Sequence, residues 1–166
     1  MKGDTERDRI VVADQAEARF YDLTRRDVPM PLVLELTNAA ARLHDRDLKS
    51  DRPGRLFDRA PAARGRRGAV PHHAAGSERS PRRLEARRFA GRIAQELERG
   101  LRNREFDRLT IVAGPPFRGI LMSTFSGRLK AVVATVVSKD LIHQSERVLR
   151  GQLLKKAGAG IERQAR

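Results

Sequence analysis

The chain has 166 residues, 39% of them apolar, which suits one domain whose core is concentrated in a few segments. It has no cysteine, which excludes disulfides, thiolate chemistry and cysteine-based zinc sites, and it carries a formal net charge of +14. No stretch approaches the ~20 apolar residues of a membrane span, and the charged start MKGDTERDR lacks the apolar core of a signal peptide, so a cytoplasmic chain is expected.

In chain order, residues 1–8 are polar and are expected to form a flexible N-terminus ahead of an α/β domain over 9–156. Ile10 to Ala13 reads as a clean strand. Beyond Asp14-Gln15, the stretch Ala16 to Tyr21 resumes an extended pattern, with Ala18, Phe20 and Leu23 set against Arg19, Tyr21 and Asp22. The two predict an antiparallel hairpin, its turn lacking an Asn-Gly signature. Pro31 to Thr37 is a third strand, and its continuation Asn38 to Leu43 reads equally as helix. Asp45 to Arg59 is polar, with Pro53-Gly54 marking a tight turn. Residues 60–80 are low in complexity and nearly without large apolar side chains, so burial cannot repay their ordering entropy, and a mobile loop is expected. His72-His73 lies inside that loop with no third ligand at a metal-binding spacing.

Ser80-Pro81 is a helix start, serine capping and proline at the first helical position. Phe89, Ile93, Leu97 and Leu101 then recur every four residues, which predicts an amphipathic helix lying on a sheet. Its outer face carries Arg82, Arg83, Arg87, Arg92 and Arg99 as a possible basic surface. From Arg52 to Arg104 the chain holds 15 arginines against 5 acidic residues, a surplus of 10 out of +14. Such a surplus attracts nucleic-acid phosphates, anionic lipid or acidic proteins. The compositional explanation stands beside it: arginine outnumbers lysine 29 to 6, and stacking aromatics are scarce.

Leu109 to Ala113 is an uncharged apolar run, as in a strand buried on both faces. Gly114-Pro115-Pro116 stops it, because proline cannot donate to a ladder, and Phe117, Ile120, Leu121 and Phe125 follow at helical spacing. Ala131 to Val137, AVVATVV, predicts a second buried strand closed by Lys139-Asp140. Gln144 to Lys156 predicts a last helix with Val148, Leu149, Leu153 and Leu154 inward, before a flexible tail over 157–166.

The series of three strands followed by helix, strand, helix, strand and helix predicts a single domain with a mixed sheet of about five strands. An antiparallel meander would be continued by two parallel, central strands, with helices packed on the sheet. That is the plan of ribonuclease-H-like domains. Ligands in such sheets sit at the carboxyl ends of the parallel strands, here Gly114-Pro115-Pro116 and Ser138-Lys139-Asp140. Two-metal nuclease chemistry would need carboxylates such as Asp14, Asp140 and Glu35 to converge. No G-x-S-x-G elbow, P-loop or Rossmann glycine pattern occurs, so no catalytic constellation, metal site or cofactor site is assigned.

Four blocks, in this order, resemble the bacterial host attachment proteins, required for attachment to host cells. They are Val11 to Asp14 with Ala16 to Phe20; Asp51 to Arg55 with Phe57; Arg88 to Ala90 with Ile93 to Leu97; and Leu109 to Pro115 with Lys139 to Leu141. The stretch around Gly119-Ile120-Leu121 departs from the Leu-Gly-x-Leu-Arg run of that pattern. The resemblance implies a contribution to attachment, with Asp14, Arg19, Gly54 and Arg55 as site candidates; because no catalytic constellation stands out, a non-enzymatic binding factor is expected. The family is also distantly similar to the middle domain of archaeo-eukaryotic peptide release factors. That similarity implies a ribonuclease-H-like fold and an alternative role as an RNA- or ribosome-associated factor. A protein partner and an RNA or ribosome partner both stay open, and a metal-dependent nuclease is the third reading.

Overall fold

Ile10 and Val12 pack into one apolar cluster while Val11 and Ala13 pack into another, which is the period-two alternation of a strand with helices over both faces. The computed structural model describes residues 7–23, 30–42 and 80–153. These residues form β1 (Asp8–Ala13), β2 (Glu17–Leu23), β3 (Leu32–Thr37), a 3₁₀ turn (Ala39–Arg42), α1 (Pro81–Arg102), β4 (Arg108–Ala113), α2 (Pro115–Thr124), α3 (Gly127–Val132) and β5 (Val133–Val137). Residues 146–153 are helical and are called α4. The expectations for residues 60–79, for Gly54 and Arg55, for His72-His73, for Leu154 and for the tail lie outside the described residues.

The sheet runs β3-β2-β1-β4-β5. β1 pairs antiparallel with β2 and β2 with β3, while β4 runs parallel to both β1 and β5. The predicted meander with a parallel extension is therefore the observed plan, a single mixed five-stranded sheet with packed helices. β1 is its centre. β5 is an edge strand and not a central one. Only Val137 of its five residues is buried. Its boundary differs too: Ala131 and Val132 finish the short helix α3, which Ser126 starts by accepting the Leu129 N–H on its hydroxyl at 3.1 Å. Leu129, fully buried, anchors that turn against the core, so an apolar run readable as one strand divides into helix and strand.

α1 begins where Ser80-Pro81 predicts. The Ser80 hydroxyl accepts the Arg83 N–H at 3.2 Å, and proline occupies the first turn, where its missing N–H costs nothing. Phe89, Ile93 and Leu97 are each 1% exposed or less, and each such burial contributes roughly 1.5–3 kcal/mol. Phe89 stacks on Phe117 of α2 with ring centroids 6.2 Å apart, tying both helices to the same sheet face. The opposite face is covered by the chain after β5. Ile142 and Leu149 pack on Val12, Val112 and Val137. Of the residues expected inward, Leu149 is 1% exposed and Leu153 packs against the same cluster, whereas Val148 points outward at 41%. α4 starts at 146 because Leu141 to Gln144 closes a turn, the Gln144 N–H donating to the Leu141 carbonyl at 3.0 Å.

One buried arginine locks the amino end of the sheet. Arg9 in β1 is 7% exposed. Its Nε and Nη2 donate to Asp22 at 2.7 and 3.0 Å, and its Nη1 donates to Glu105 at 2.8 Å. The guanidinium lies 5.0 Å above the Phe106 ring. Gly100 makes the space, since a Cβ there would stand 2.7 Å from Arg9 Nη1 and 3.1 Å from the Phe106 ring.

Candidate functional site

Asp14 follows directly on β1, and its Oδ1 accepts two backbone N–H bonds, from Ala16 and Glu17, each at 2.7 Å. This is the geometry of an Asx turn, which closes the hairpin without needing Asn-Gly. Glu17 opens β2 and is only 9% exposed. A carboxylate so placed needs a cation, and Arg19, two residues along on the same strand face, supplies it at 3.0 Å. Arg19 Nη1 also donates to the Ile142 carbonyl at 2.8 Å, and Nε lies 3.7 Å from Glu35 of β3, its partner in register. Asp14 and Arg19 thus meet through Glu17, and the pair fastens the hairpin to the segment covering the sheet. His143 adds an exposed imidazole 3.8 Å from Glu17. Glu17 escaped the sequence reading, although its spacing to Arg19 and a glutamate in the third strand were the available signal.

At the carboxyl ends of β4 and β5 the chain leaves to opposite faces, α2 on one side and residues 141–153 on the other. Arg118 in the first turn of α2 spans this divide, donating from Nη1 to the Ser138 hydroxyl at 2.6 Å. A Cβ on Gly114 would stand 3.7 Å from the Asp140 Cβ, so the two turns lie against each other. Pro115 and Pro116 occupy the first two helical positions, which removes two of the N–H groups that would cradle an anion at a helix start. Among the described residues no three His, Asp or Glu side chains are grouped to hold a metal ion. A cavity of about 10 Å³ between Gln15, Asn38, Arg82 and Glu85 has room for one water.

The arginines of α1 do not form one stripe. At 3.6 residues per turn, Arg83 and Arg87 lie on the flank beside Ala90 and Ala94, and Arg88, Arg92 and Arg99 lie on the other. Arg82, Arg87, Arg92 and Arg99 are exposed, and Arg83 is half-buried. Arg88 pairs with Glu85 and Arg99 with Glu96, each three residues apart on the helix. Arg92 reaches the sheet, donating to the Thr37 carbonyl at the end of β3 at 3.1 Å, with its guanidinium 5.6 Å over Phe89. Arg19 and Arg92 therefore hold the carboxyl half of β3 from opposite faces.

Fold and surface define an α/β domain whose polar residues at the sheet's carboxyl end are tied into turns and strand pairing, with its cations turned outward on a helix. The chain belongs to the family described as protein required for attachment to host cells, whose model matches residues 9–153. No curated protein matches it. A solved structure titled "Archaeal protein" is similar at 12% identity and a TM-score of 0.43, covering 96% of this chain. This chain spans 39% of that one's length. No described helix is long and apolar enough to cross a membrane.

Proposed function

We propose that the protein is a non-enzymatic binding factor that contributes to attachment to host cells, and that it acts from the cytoplasm. The family match over residues 9–153 supports the attachment role. The observation that favours binding over catalysis is the engagement of Asp14 and Arg19: the carboxylate caps a turn through two N–H bonds, and the guanidinium holds Glu17 and the Ile142 carbonyl. Both are spent on holding the fold. The mixed sheet, a meander extended by parallel strands, supports the ribonuclease-H-like expectation.

The test is complementation of a strain lacking the gene, scored by counting bacteria adhering to host cells. The Asp14→Asn chain keeps an oxygen acceptor for the turn but removes the carboxylate that acid–base or metal chemistry would use. It is expected to restore adhesion like the unaltered chain. Loss of adhesion by a folded Asp14→Asn protein would sink the non-enzymatic reading. The second reading, an RNA- or ribosome-associated factor, draws its support from the exposed Arg82, Arg87, Arg92 and Arg99 and from the net charge. Binding to ribosomes that survives physiological salt would favour it, whereas weak RNA binding that falls steeply with salt would mark a nonspecific field.

A further inference from the structure

We propose that the outer edge of β3 is a docking edge for an extended acidic segment of a partner protein, added to the sheet as a sixth strand beside Leu34 to Thr37. The proposal rests on the binding reading and gives it a place and a chemistry. β3 ends the sheet, with no strand beyond it among the described residues. Pairing fixes which backbone groups look outward. The Asn38 N–H donates inward to the Ala16 carbonyl at 2.7 Å, so alternation turns the groups of Leu36 and Leu34 toward β2 and those of Glu35 and Thr37 away from it. Of these outward groups, the Thr37 carbonyl is taken by Arg92, leaving the Glu35 N–H and C=O and the Thr37 N–H facing out.

Natural edge strands are usually blunted by lysine, proline or a bulge. β3, LVLELT, contains neither lysine nor proline, and every residue in it is exposed or half-buried. Leu32 and Val33 are 50% and 45% exposed. The one register shift falls between Phe20 and Tyr21, opposite the amino end of β3, so Leu34 to Thr37 stays regular. At the far edge of the sheet, Val137 is buried and Val136 is engaged, so the two edges are not equivalent.

Charge selects the occupant. The net +14 opposes a second copy and attracts an acidic chain. Locally, Arg92 stands at the open end of the edge with its orientation fixed by Thr37 and Phe89, and its five-donor fork has capacity beyond the one bond to Thr37. On the other face, Glu35 already has Arg19 at 3.7 Å and does not repel the incoming strand unopposed. A segment with an apolar residue beside Leu34 and a carboxylate beside Arg92 satisfies backbone, apolar contact and charge together, the β-augmentation mode of peptide recognition.

The experiment screens the full chain against a displayed library of random decapeptides and then reads amide exchange with one selected peptide. Selected binders are expected to alternate apolar and acidic residues. Adding one should slow exchange of the Glu35 and Thr37 amides at least about tenfold, while the Leu36 amide, already bonded to β2, changes little. Glu35→Pro removes an outward donor at a position where edge strands accept proline, and it should abolish binding. Val33→Glu, an acidic charge on the edge that leaves the backbone intact, should repel the acidic segment and weaken binding, and it decides the matter should Glu35→Pro not fold. The proposal is overturned by a screen without binders, by binders that Glu35→Pro retains, or by slowed exchange elsewhere. Protection that grows with protein concentration and needs no peptide would show a second copy instead. Adhesion kept by both Asp14→Asn and a folded Glu35→Pro would remove the edge and leave the binding reading standing.

Discussion

Replacing Arg9 by methionine tests the ion-pair lock most sharply. Methionine approximates the length of the arginine stem, so the substitution removes the charge and five donors while keeping much of the packing over Phe106. Asp22 and Glu105 would then face each other's charge with their shared cation gone. Breaking a fully buried pair costs about 3–5 kcal/mol. Here the arginine side chain is 9% exposed but the carboxylates are 32% and 42% exposed, so water recovers part of that loss. We expect destabilisation of about 2–3 kcal/mol, a discounted share of the buried-pair cost. In urea, with a slope of about 1–3 kcal/mol per molar, the midpoint should fall by about 1 M or more at an unchanged slope. The companion Arg9→Met/Asp22→Asn/Glu105→Gln, which removes the orphaned charges as well, should recover at least half of the loss. A single-substitution loss below about 0.5 kcal/mol, typical of surface changes, would refute the claim that Arg9 locks the amino end of the sheet.

Leu149→Ala should cost about 2–4 kcal/mol by opening a cavity against Val12 and Val112, while Val148→Ala should stay within about 0.5 kcal/mol; equal effects in urea unfolding would contradict the observed helix phase. Ser80→Ala removes the acceptor for the Arg83 N–H and should cost about 1 kcal/mol, a shift of about 2–4 °C in Tm. Arg9 and then Asn103 hold the Glu105 carboxyl below its ordinary value of 4.5 by hydrogen bonding to the ionised form. That stabilisation is present above the unfolded-state pKa and is lost as pH falls through the lowered folded value. Glu105→Gln should therefore be less stable than the parent at pH 7, and the gap should close on acidification; a gap independent of pH would contradict the assignment. Arg19→Met releases the Ile142 carbonyl, so amide exchange over residues 142–153 should quicken more than exchange in β1 and β4.

Most of the architecture was legible because it rests on local signals. Ile10 to Ala13 and Leu109 to Ala113 carry no charge, and Ser80-Pro81 states a helix start in chemical terms that need no tertiary context. What escaped depends on partners distant in sequence. An arginine beside a strand reads as solvent-exposed, and nothing local to Arg9 announces Glu105, 96 residues away, or the gap above Gly100. AVVATVV reads as one strand because Ala131 and Val132 are as apolar as the residues of β5; the Ser126 cap and the burial of Leu129 set the division. Val148 and Leu149 are equally apolar, and only the angle at which α4 crosses the sheet decides which turns inward. The candidate site was half legible. Asp14 and Arg19 do come together, but through Glu17, whose burial arises from the hairpin register and not from its own residue type.

The central claim, attachment by binding and not by catalysis, is tested most directly by adhesion of the gene-deleted strain carrying either the unaltered chain, Asp14→Asn or Val33→Glu. Both variants must first be shown to unfold cooperatively with midpoints near the parent's. The account predicts full adhesion with Asp14→Asn and reduced adhesion with Val33→Glu. Full adhesion with Val33→Glu and none with Asp14→Asn would contradict it and point back to chemistry at the carboxylate.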